Sequence, residues 1–164
     1  MGSMTEPSAA ETAHPARTDL PFRLLALAWV ITGGLTAAVT GPLGLEHGSW
    51  SAAFQVLVGG VMQGMLGVAQ HRLAPRPPSQ SMLLAQLLTW NLGSLAVIGG
   101  TVAAAPLLVD AGGVLLVVTM VLMLRTVGRT ARGPRWLLWL FRAGLVLTAL
   151  SIPVGLVLAH LRAS

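Results

Sequence analysis

The stretch Trp50–Arg76, WSAAFQVLVGGVMQGMLGVAQHRLAPR, decides the fold. Most of it is apolar and long enough to cross a bilayer, for which about 20 residues suffice. Yet it carries Gln55, Gln63 and Gln70, the thioethers of Met62 and Met65, and a Gly60-x-x-x-Gly64 step before closing on His71-Arg72. Amides and glycines in such a span point to contact with other helices, with a ligand, or with both.

The rest of the chain shares this character. Of its 164 residues 54% are hydrophobic and 9% charged, where a soluble domain carries about 25% charged residues. So little charge cannot clothe a water-facing surface, and lipid must cover most of the chain. Cysteine is absent, which excludes disulfides, thiolate metal sites and cysteine nucleophiles. The net charge of +5 comes from arginine alone among the bases. It needs no nucleic-acid partner, because cytoplasmic loops of membrane proteins collect Arg.

Outward from Trp50–Arg76, the apolar runs are Phe22–Thr40, Trp50–Gln70, Met82–Ala104, Leu107–Leu124 and Trp136–His160. Gly41-Pro42, Arg76-Pro77-Pro78, Pro106 and Gly133-Pro134 punctuate them, since proline cannot donate to a continuing helix. The expected fold is all-α, an integral membrane bundle of five transmembrane helices within residues 21–164. Residues 1–20 are expected to be a disordered tail, polar and patternless, with Met1-Gly2-Ser3 before Met4 as an expression remnant.

Arginine sets the expected orientation. Arg17 and Arg23, then Arg72 and Arg76, then Arg125, Arg129, Arg132 and Arg135 fall in segments on one side. The opposite loops hold Glu46, His47 and Asp110. The positive-inside rule then gives a multi-pass plasma (inner) membrane protein with its N-terminus cytoplasmic and its C-terminus outside. A weak internal repeat accompanies this order. Gly33-Gly34-x-x-Ala37-Ala38 resembles Gly99-Gly100-x-x-Ala103-Ala104, and Met62-x-x-Met65 resembles Met120-x-x-Met123. Two parallel helix-pair repeats plus a fifth helix are expected on that ground.

Several groups of residues have the chemistry to bind something. Met62 with Met65, and Met120 with Met123, each share a helix face at i, i+3 spacing. Thioethers suit Cu(I) or haem iron, and they also fill gaps between apolar helices. Gln63 and Gln70 share a face of the second span, while Gln86 and Asn91 lie in the third. A buried amide needs a partner, either across helices or from a polar ligand. Glu46, His47, Asp110 and His160 all belong to the outer surface by topology. Together they offer ligands for Zn or Cu(II) if they converge. No phosphate loop, nucleophile elbow or HExxH pattern is present.

Gly67-Val-Ala-Gln-His-Arg-Leu-Ala-Pro-Arg76 resembles a helix end of the form G-V-x-Y-H-L-L-P-R. The likeness continues in Gln86-x-x-x-Trp90-Asn91-Leu92-Gly93 and in Ala111-Gly112-Gly113 leading to Leu124-Arg125-Thr126. Residues 50–130 are thereby similar to part of the haem–copper oxidase catalytic subunit superfamily, including its nitric oxide reductase and NnrS-like relatives. In that family the first of these helices often opens with a ligand His before a Gly. Gln55 stands there in this chain, ahead of Gly60, and an amide is a poor haem ligand. The resemblance implies the helix scaffold more than the oxygen or nitric oxide chemistry.

The functional expectation is a non-catalytic membrane protein, since no titratable pair sits where a substrate would be held. It would bind haem, copper or a small apolar ligand as an accessory of a respiratory or metal-handling system. The alternatives are a structural subunit, in a homo-oligomer or larger membrane complex built on the glycine face, and a small-solute channel or carrier lined by the amides. Met62, Met65, Met120, Met123, Gln63 and Asn91 are the candidate cofactor contacts.

Overall fold

In the computed structural model the described residues are 18–128 and 131–163, with side chains described as far as Ser151. Within them the chain forms five helices and no strand. These are α1 (Leu20–Thr40), α2 (Gly48–Leu73), α3 (Gln80–Val102), α4 (Pro106–Val127) and α5 (Arg135–Ala163). The first four are long and apolar enough to cross a membrane. The span expected over Trp136–His160 falls on α5, and its part beyond Ser151 lies outside the described side chains. The expected tail, apart from residues 18–20, lies outside the described residues.

Local chemistry sets the helix ends. Ala74 turns extended at ψ 130°, as a residue before proline prefers. Ser79 caps α3 by accepting the Met82 amide at 3.2 Å. Pro106 opens α4 rather than sitting in the preceding turn, because its missing N–H is unneeded in a first helical turn. The turn itself is made by Ala104, at φ 49°.

Large apolar side chains face outward on the first four helices. Leu35 is 62% exposed, Leu57 61%, Leu95 55% and Leu107 82%. A water-soluble monomer does not spread so much apolar surface over its exterior, whereas lipid solvates it at no cost.

The helices form two antiparallel hairpins, α1 with α2 and α3 with α4, and α5 closes the bundle against α2 and α4. Phe22, Leu66, Trp90, Leu116, Met123 and Phe141 meet in one buried cluster drawn from all five helices. Small residues let the hairpins close. A Cβ on Gly60 would lie 2.5 Å from Val30 Cγ2 and 3.1 Å from the Ala26 carbonyl, and one on Gly67 would collide with Phe22. The Gly60-x-x-x-Gly64 face therefore packs on α1 of the same chain. Gly93 and Gly112 bring α3 and α4 together in the same way, with a Gly93 Cβ 2.9 Å from the Gly112 carbonyl.

The glycines paired by the sequence repeat do not do equivalent jobs. Gly33 packs against Val56 and Gly34 faces open space, while Gly99 faces open space and Gly100 packs against Val109. The helix α2 is also irregular. Gln55–Met62, within α2, is π-helical, and such segments recur at functional sites.

The arginine-bearing end is pinned by polar contacts. Asp19 pairs with Arg23 at 2.7 Å and lies 4.0 Å from His71 Nε2. Thr18 Oγ1 meets His71 Nδ1 at 2.8 Å, which ties the start of α1 to the end of α2. The loop before α5 also reaches α2, where the Arg132 amide donates to the Leu73 carbonyl at 2.8 Å.

Candidate functional site

A seam of polar side chains runs through the apolar interior between α2, α3 and α4. It starts near the arginine end. Gln70 Nε2 donates to Gln86 Oε1 at 2.9 Å, and Gln86 Nε2 donates to Thr126 Oγ1 at 3.0 Å. The Thr126 hydroxyl in turn donates to the Leu122 carbonyl at 2.9 Å. Deeper in, the hydroxyls of Thr89 and Thr119 meet at 2.6 Å. These bonds give each hydroxyl and amide a partner in a medium without water.

Farther along the seam the pattern breaks. Gln63 is completely buried, and neither its Nε2 nor its Oε1 has a hydrogen-bond partner. Trp90 Nε1 and Ser94 Oγ, also on completely buried residues, are unpartnered as well. Helical spacing places these groups along neighbouring stretches of α2 and α3. Gln63 and Gln70 are seven residues apart on one face of α2, and Gln86, Trp90 and Ser94 recur every fourth residue on α3. Measured from the Gln70–Gln86 bond, Gln63 stands about 10 Å along α2, with Trp90 and Ser94 about 6 and 12 Å along α3. The free Oε1 of Gln70 lies at the near end of the same interval.

The interior thus presents an amide, an indole N–H and a hydroxyl, all uncharged. Leaving such groups unpaired costs about 1–3 kcal/mol each, and buried polar groups are otherwise nearly always paired. These groups are suited to an uncharged hydrogen-bonding guest, for which they supply both donors and an acceptor.

The other expected contacts are occupied differently. Asn91 is engaged at both ends, accepting from Trp29 Nε1 at 2.6 Å and donating to the Leu87 carbonyl at 2.7 Å. Gln55, where the resemblance would place a ligand, donates to Thr36 Oγ1 and Ser51 Oγ, each at 3.1 Å. Met120 and Met123 are buried in the core cluster. Met62 and Met65 pack against that cluster, where they border Gly144 of α5.

Glu46 and His47 lie in the turn before α2, and Asp110 lies in α4, just past its first turn. Among the described residues no three His, Asp or Glu side chains come together to hold a metal, and the His160 side chain lies outside them.

Trp90 and Ser94 enter the site only through the structure. Their spacing from Gln86 was the available signal, since three polar-capable residues at i, i+4 and i+8 in an apolar span define one helix face. No family model matches the chain, and no curated protein or solved structure matches it. The likeness to the haem–copper oxidase superfamily rests on the quoted residues alone.

Proposed function

We propose that this chain is a non-catalytic, multi-span membrane protein that takes a small, uncharged, hydrogen-bonding ligand into its helix bundle at Gln63. One observation carries the reading: Gln63 is fully buried with both ends of its amide unpartnered. Trp90 Nε1 and Ser94 Oγ on α3 are likewise buried and unpartnered, which adds to this support. An uncharged ligand fits because the seam contains no ionisable side chain. Met62, Met65, Met120 and Met123 serve in this reading as packing, which favours an organic solute over haem or copper. All five helices cross the bilayer, with the arginine end and the N-terminus in the cytoplasm. The repeat reduces to a shared hairpin plan, since its matched glycines pack differently.

Protein purified in mild detergent tests the reading by native mass spectrometry, with an optical spectrum after haem supplementation and metal analysis alongside. Wild type should carry an organic adduct of low mass that Gln63→Leu lacks, and it should be colourless. A Soret band or stoichiometric copper would instead favour the cofactor function implied by the resemblance. The same spectrum of bare protein for wild type and Gln63→Leu would contradict a ligand site at Gln63.

A further inference from the structure

A groove of about 550 Å³ opens on the outside of the bundle between α1, α2 and α5. Its walls are apolar along most of their length, with Ala26 and Val30 from α1, Val61 and Val68 from α2, and Leu140 from α5. At one end the lining changes to Arg23, Arg72 and Trp136. Arg23 and Arg72 are both exposed. Asp19 engages one Nη of Arg23, leaving further guanidinium donors. Arg132 and Arg135 lie at the same end, so the charge there is strongly positive.

Dimensions and charge select the occupant. On α2 the lining runs from Gly60 to Arg72, about 18 Å at helical rise. One leaflet of the hydrocarbon core is about 15 Å deep. An apolar channel one leaflet long, ending in two arginines and an interfacial tryptophan, matches one acyl chain topped by an anionic head. A second helix would need a longer face, and it would bury both arginines without a counter-charge.

We propose that this groove is a binding site for an anionic phospholipid, with an acyl chain between α1, α2 and α5 and the phosphate on Arg23 and Arg72. It rests on the reading that the helices cross a bilayer and is independent of the ligand at Gln63.

The test is native mass spectrometry of full-length protein titrated with phosphatidylglycerol or phosphatidylcholine, using wild type, Arg72→Gln and Val61→Trp. Arg72 and Val61 are both exposed, so neither change disturbs the core. Wild type should retain one phosphatidylglycerol in preference to phosphatidylcholine. Arg72→Gln should weaken it by about five-fold or more, in line with the loss of one basic contact at a membrane surface. Val61→Trp should weaken both lipids by filling the channel. Equal retention of the two lipids by wild type, or phosphatidylglycerol binding untouched by both substitutions, would overturn the proposal. So would a second copy of the chain crosslinked through Val61 in place of lipid. Alkaline extraction separates this from the bilayer reading: protein released from membranes refutes the spans, whereas membrane-retained protein without bound lipid refutes the groove alone.

Discussion

Gln70 and Gln86 are joined by a single amide–amide hydrogen bond of 2.9 Å that links α2 and α3 near their arginine-bearing ends. Gln86 holds the centre of the relay, accepting from Gln70 and donating to Thr126. Gln86→Leu should therefore strand the Gln70 amide and destabilise the fold by about 1–3 kcal/mol. The pair Gln70→Leu/Gln86→Leu should recover much of that loss, because neither amide of the pair is then left to strand. Thermal unfolding in detergent of the two singles and the double checks the non-additivity.

Glycines separate sharply by what faces them. Gly112→Leu should wedge α3 from α4, since even a Cβ there would lie 2.7 Å from the Gly93 carbonyl. The expected cost is at least about 1–3 kcal/mol, as for other overpacked interiors. Gly34 and Gly99 have no atom within 4 Å of an added Cβ. Gly34→Ala and Gly99→Ala should leave the melting temperature unchanged or raise it, by up to about 1 kcal/mol of helix propensity.

The absence of native cysteine makes topology directly measurable. Single cysteines replacing Arg76 and Arg132 should be reached by an impermeant maleimide only after the cells are opened. A cysteine replacing His47 should label in intact cells. The reverse pattern would invert the orientation that the arginines imply.

Much of this architecture is legible in the sequence because proline, glycine and hydropathy act locally. The run expected over Phe22–Thr40 becomes Leu20–Thr40, and Leu107–Leu124 becomes Pro106–Val127. The N-terminal ends move outward because a proline in the first turn opens each helix ahead of its apolar run. Pairing between distant residues is less legible. Gln63 and Gln70 look alike in an apolar run, yet Gln70 meets a partner on α3 and Gln63 does not. Which glycine face meets α1 depends on the phase of α2, and the π-helical turns at Gln55–Met62 alter that phase without a distinctive sequence signal. Asn91 reads as a ligand contact until Trp29, 62 residues away in sequence, fills its carbonyl.

The sign of one stability change reports whether Gln63 holds a ligand. The measurement is the melting temperature of wild type and Gln63→Leu, each purified gently and compared before and after extensive detergent washing. With a ligand on the amide, the gently purified wild type should be the more stable by about 1–3 kcal/mol, and washing should remove that advantage. An empty, orphaned amide predicts the opposite: Gln63→Leu would be the more stable protein before and after washing, and the account of a ligand site at Gln63 would be contradicted.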